Sequence, residues 1–288
     1  LSGGRLGTTG RALLVRALKD KDEMVRMAAA YVLLDRDDPA GLAEVFRGTL
    51  SENPNVYKLA ETSMLRKLIV WDSSHPLART LDLRVALVPV YEMDHEAVLA
   101  LGEVLDKSKA WYLRRSALFL LGFSGRPEAA PPLVRAARHE RDKNLNRCLS
   151  GLGRLRYRKA VPDLLKYLER GHGPKWGTPH YNGDRADFYA ARSLVQIADP
   201  ESVGPIIRLL DSEKPEVRKR ARRALTDLFA ENVSADRCLV PTDDGFARIR
   251  IDELPEPAAL RKSWQAFWKA NRSKYEWPEG GPPLRPGR

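Results

Sequence analysis

The sequence predicts an all-α protein, a right-handed solenoid of about seven helix pairs closed at its C-terminal end by a small hairpin and a further helix. Three observations predict it. A helical stripe of apolar or small residues at i, i+4, i+7 and i+8 recurs with anchors at positions 25, 56, 83, 113, 145, 186 and 217. Pro131, Pro162 and Pro205 stand near the starts of segments between anchors, where a missing N–H costs a helix little. Apolar residues are 43% of the chain and aromatics only 8%, and Ala and Leu dominate, which suits helices better than sandwiched sheets.

The elements follow in order. Residues 11–20 read as a second helix whose first helix is missing, so the expectation is a chain trimmed from a longer one. Val25, Ala29, Val32 and Leu33 make the first anchor helix, and Asp38-Pro39 turns into a second helix over Leu42–Phe46. The next anchor helix carries Val56, Ala60 and Met64. Only 27 residues separate its anchor from Leu83, so its second helix is expected to be lost, with Ile69–Leu77 and Trp71 filling the gap. Asp94 opens a second helix through Val98, Leu101 and Leu105. Leu113, Leu145, Ala186 and Val217 anchor the remaining first helices, followed by second helices from Pro127, Lys159 and Asp199. One such pair cannot bury its apolar faces alone, so neighbours must stack.

The spacing stops after Ala230. Asp244-Gly245, followed by alternating residues through Ile251, predicts a hairpin. Pro257 opens a helix with Leu260, Trp264, Phe267 and Trp268 on one face, expected to close the exposed end of the stack. The expected domains are therefore a repeat region over 1–230, a cap over 231–278 and an extended tail over 279–288.

The residues also carry a resemblance. Asp211–Leu225 resembles the first helix of a HEAT repeat, most nearly the short HEAT-like repeats named after the bilin lyases. Asp199–Leu210 resembles the linking turn and second helix. The likeness covers roughly residues 11–230. It implies the solenoid, and it implies that Arg26, Arg84, Arg114 and Arg218, each just after an anchor, pair with Asp106, Asp142 and Asp211 between neighbouring repeats. A Trp-rich helix after the last repeat is similar to tails of bacterial HEAT-repeat proteins.

Composition excludes some classes. Two cysteines, Cys148 and Cys238, rule out a disulfide scaffold, and no window approaches the ~20 apolar residues of a membrane span. The formal charge is +11. No Gly-x-Ser-x-Gly elbow, phosphate loop or zinc-ligand spacing occurs, so no catalytic residue, metal or cofactor is expected. The compartment stays open, with the cytoplasm favoured.

The expected function is a non-enzymatic scaffold for protein–protein interaction, its partner another protein or other domains of a longer chain. Second helices should build its concave surface, with the Gly/Pro-rich loop over 170–184 as an added contact through His172, Lys175, Trp176, His180 and Tyr181. A second class is nucleic-acid binding, glycosylase-like or otherwise, through Arg218, Lys219, Arg220, Arg222 and Arg223 together with Arg154, Arg156 and Arg158. A third is a lyase-type enzyme or chromophore-lyase subunit, which requires a pocket beside His172, Trp176 and His180.

Overall fold

Short helices joined by single 3-10 turns build the protein. In the computed structural model, residues 7–36, 38–67, 93–171, 185–230, 233–242 and 245–276 are described. The anchor at Leu83 with Arg84, the Ile69–Leu77 stretch with Trp71, the loop residues 172–184 and the tail 279–288 lie outside them. The chain divides into two compact units, Leu1–Arg138 and His139–Arg288.

In the first unit, α1 (Thr8–Ala17) leads to α2 (Glu23–Asp35). Asp22 caps α2 by accepting the Met24 amide at 2.8 Å. Asp38 then accepts the Ala40 amide and starts a 3-10 turn, Pro39–Gly41, that runs into α3 (Leu42–Gly48). Next come α4 (Pro54–Lys67), α5 (His95–Lys107) and α6 (Trp111–Phe123). Asp94 caps α5 through the Ala97 amide at 2.8 Å. A turn at Pro127–Ala129 opens α7 (Ala130–Ala137). The core joins Met27, Leu33, Phe46, Met64, Leu101, Leu113, Leu121 and Leu133, all fully buried. Of the first stripe, Val25 and Val32 stay 41% and 37% exposed. The buried face of α2 is set by Met27, Ala30, Leu33 and Leu34 instead.

In the second unit, α8 (Asp142–Arg154) is followed by a turn at Arg158–Ala160 and α9 (Val161–Arg170). The next pair is α10 (Ala186–Ile197), a turn at Pro200–Ser202 and α11 (Val203–Arg208). Asp199 caps that turn through the Glu201 amide, as Asp38 does in the first unit. The two Asp-Pro steps thus do the same local work. α12 (Pro215–Phe229) is the last first helix. Packing along α8, α10 and α12 is continuous. At the α8–α10 seam the backbones come close. A Cβ on Gly153 would sit 2.7 Å from the Ser193 Cα, and Ser193 donates its hydroxyl to the Leu149 carbonyl at 2.7 Å.

The expected hairpin forms. β1 (Arg237–Thr242) pairs antiparallel with β2 (Gly245–Arg250), Thr242 opposite Gly245, so Gly245 with φ +137° begins the second strand. α13 (Pro257–Asn271) packs on α11 and β1. It buries Leu260, Trp264 and Trp268. Phe229 at the end of α12 lies 5.3–6.1 Å, ring centre to ring centre, from Phe246, Trp264, Phe267, Trp268 and Tyr275. Arg261 bonds Asp211 at 2.5 Å and Arg272 bonds Glu201 at 2.7 Å, holding the helix to the last pair at two points.

Among the described residues, Arg26 and Arg218 are held by backbone carbonyls, and Arg26 also pairs with Glu44 at 2.7 Å; Arg84 lies outside the described residues. Arg26 donates to the Asp20 and Lys21 carbonyls, and Arg218 to the Ser212 and Glu213 carbonyls, the same offsets of six and five residues. Arg114 donates to the Leu105 carbonyl in the last turn of α5. Each guanidinium sits where the preceding element ends and its carbonyls lack helical donors. Asp106 and Asp211 pair elsewhere, with Arg135 and Arg261.

Candidate functional site

The α10 helix carries two stripes. One, through Ala190, Ser193, Leu194 and Ile197, is buried in the core. Beside it Phe188, Ala191, Arg192, Val195 and Gln196 recur at i, i+3, i+4, i+7 and i+8, which puts them on one face. On α12 the matching stripe is Arg220, Arg223, Ala224 and Asp227, at i, i+3, i+4 and i+7. Where these stripes meet lies an open groove of about 400 Å³. That is within the ~300–1,000 Å³ range of ordinary binding pockets. Ala191 and Ala224 leave the space, since longer side chains at those positions would fill it.

The guanidiniums are held in place. Arg220 lies 5.0 Å from the centre of the Phe188 ring, and Arg185 also lies 5.0 Å from it. The Nε of Arg220 is 3.6 Å from Oδ2 of Asp187, a fully buried carboxylate. Asp187 belongs to the first turn of α10, where the helix dipole favours negative charge. Arg223 donates to Asp227 at 3.0 Å and to the Val233 and Ser234 carbonyls at 3.1 and 3.2 Å. Burial pushes the Asp227 carboxyl above its usual range, against the opposing pull of Arg223. Arg192 is exposed at the rim. The groove thus joins an apolar floor to three guanidiniums and one carboxylate that ionises reluctantly. Such a surface suits an apolar side chain flanked by anions.

Reactive groups are placed differently. Cys148 and Cys238 are both buried, and burial pushes the Cys238 thiol up, away from the thiolate that attacks or ligates. Among the described residues no group of three or more His, Cys, Asp or Glu side chains is placed to hold a metal ion. Among them, too, no helix is long and apolar enough to cross a membrane.

The residues singled out from the sequence are dispersed. His172, Lys175, Trp176, His180 and Tyr181 lie outside the described residues. Of the basic run on α12, Arg220 and Arg223 line the groove, Arg218 clamps carbonyls, Lys219 is exposed and Arg222 is half-buried. Arg154 donates to Ser150 one turn back, and Arg158 binds Asp199 through two bonds of 3.1 Å. Arg156 takes a positive φ of 51°, and burial lowers the pKa of its guanidinium. Sequence reasoning missed Phe188, Ala191, Arg192, Val195, Gln196, Ala224 and Asp227 as a group. The signal was there: a second helical stripe on α10 that mixes small, apolar and basic residues. The groove also lies between first helices, whereas a surface of second helices was expected.

Comparison with known proteins identifies the repeats. Residues 98–175 match the family of HEAT repeats, and residues 188–212, which include most of α10 and all of α11, match the PBS lyase HEAT-like repeat. No curated protein matches the sequence. Among solved structures, the chain is similar to the complex of CpcE and CpcF of phycocyanin lyase from Nostoc sp. PCC7120, at 19% identity and a TM-score of 0.38. The match covers 78% of this chain and 66% of that one. Human deoxyhypusine hydroxylase in complex with glycerol is similar at 22% identity and a TM-score of 0.38, over 76% of this chain and 73% of that one. An engineered protein is similar at 20% identity and a TM-score of 0.35, over 75% and 57%.

Proposed function

We propose that this HEAT-like repeat protein is a non-catalytic scaffold that binds another protein, with the groove between α10 and α12 as a contact. One observation carries the proposal: an apolar hollow of about 400 Å³ lined by two helix faces, with Arg220 and Arg223 already oriented by Asp187, Phe188 and Asp227. Preset side chains lose little entropy when a partner docks. The same role treats residues 1–230 as the repeat region, 231–278 as a cap over its end and 279–288 as a tail. The contacts of α13 with α11 and of Phe229 with the α13 aromatics support the cap.

The test compares what co-purifies with the wild-type chain and with Val195→Glu in the native cell. Val195 is half-buried on the groove wall, so the added carboxylate reaches the hollow without entering the core. Loss of a co-purifying protein, with unchanged melting by circular dichroism, is the expected result. An unchanged set of co-purifying proteins removes the groove from partner binding.

A further inference from the structure

We infer that the α10–α12 groove takes an acidic peptide segment that carries one aliphatic side chain, the aliphatic group entering the hollow and flanking carboxylates meeting Arg192, Arg220 and Arg223. The inference rests on the scaffold role proposed above and names the chemistry of the partner.

Charge and shape both point to this occupant. The floor is Ala191 and Ala224 with Val195 and Phe188 at its sides, room for an unbranched or branched aliphatic group, and Gln196 is the neutral polar side chain of the lining. The rim is basic. Arg220 rests against Phe188 and the buried Asp187, so it presents its guanidinium from a fixed place. Arg223 is held by two backbone carbonyls as well as by Asp227, so a peptide carboxylate can displace Asp227 without setting the arginine loose. Asp227 is half-buried and competes for Arg223 from within the groove. A carboxylate pairs with guanidiniums through two parallel bonds, which the oriented Arg220 and Arg223 favour, with Arg192 exposed at the rim as a third cation.

A nucleic acid fits less well. Phosphate binding gains from many cations along a backbone. Here Arg218 of the same run is turned onto the Ser212 and Glu213 carbonyls.

The experiment is fluorescence anisotropy with the full chain and four labelled probes. They are the peptide Gly-Asp-Glu-Asp-Leu-Asp-Glu-Asp-Gly, its Asn/Gln counterpart, its Leu-to-Gly counterpart and a ten-residue oligothymidylate. The acidic leucine peptide should bind about tenfold tighter than either altered peptide, and its affinity should fall as salt rises. Arg192→Glu, at an exposed rim position that leaves the fold intact, should weaken it about tenfold, and Asp227→Asn should tighten it several-fold. Equal binding of the acidic and Asn/Gln peptides overturns the acidic chemistry. If both are then lost in Val195→Glu, the groove keeps its scaffold role. Tighter binding of the oligothymidylate, or no binding of any peptide, overturns the inference. The scaffold role itself falls only on the co-purification test.

Discussion

Arg26 and Arg218 stand 192 positions apart and make the same pair of bonds, to carbonyls six and five residues back. The reason is local. A connecting turn ends with carbonyls that no helical N–H reaches, and a guanidinium at the fourth position of the next helix supplies the donors. Arg218→Met keeps the stem and removes the bonds. It should lower stability by about 1 kcal/mol after allowance for its partial exposure, or about 2–4 °C in the melting temperature. Lys219→Met, on an exposed side chain, should change melting by less than about 0.5 kcal/mol. Equal melting of the two variants would remove the clamp from the stability account. The family resemblance led to aspartates as partners for these arginines. Backbone carbonyls are identical at every residue, so sequence alone offers no trace of them.

At the scale of the helix, Gly153 separates two kinds of seam. Ala is ordinarily the better helix former by about 1 kcal/mol. At Gly153, though, a Cβ would come 2.4 Å from the Gln196 Oε1, 2.6 Å from the Ser193 Oγ and 2.7 Å from the Ser193 Cα. The last of these is backbone, so α10 itself must move. Gly153→Ala should therefore destabilise by about 2 kcal/mol net, and a thermal melt checks both sign and size. Because Gln196 also lines the groove, the same variant should weaken binding of the acidic peptide. A rise in melting temperature would show that the seam has slack. The helices themselves were legible, because the i, i+4, i+7, i+8 stripe follows burial in most of them: Leu113, Leu145, Val217 and Ala221 are all at 1% exposure or less, while in α2 the stripe is rotated partly off the buried face. The groove was hidden for the converse reason. Its residues share no single chemical character, and a hollow depends on how far apart two helices settle, which stripes do not encode.

For the molecule as a whole, the question is how far a local defect spreads. Each unit has its own buried core, Met27 to Leu133 in one and Leu145 to Trp268 in the other. Repeat proteins gain stability from neighbours, so damage is felt most by the elements that touch the damaged one. Ala221 is fully buried on α12, which packs on α9, α10, α11 and β1. Ala221→Asp places a carboxylate there, at a cost of about 3 kcal/mol or more. Hydrogen exchange followed by mass spectrometry should show α10, α11 and α12 losing protection. The α13 helix should follow, because Phe229 at the end of α12 anchors Trp264 and Trp268. The α2, α5 and α6 amides should keep their wild-type protection, since their burial involves Met27, Leu101 and Leu113 rather than α12. Uniform loss across both units would mean that the chain melts as one cooperative body. Nearest-neighbour stacking would then be the wrong description of its stability.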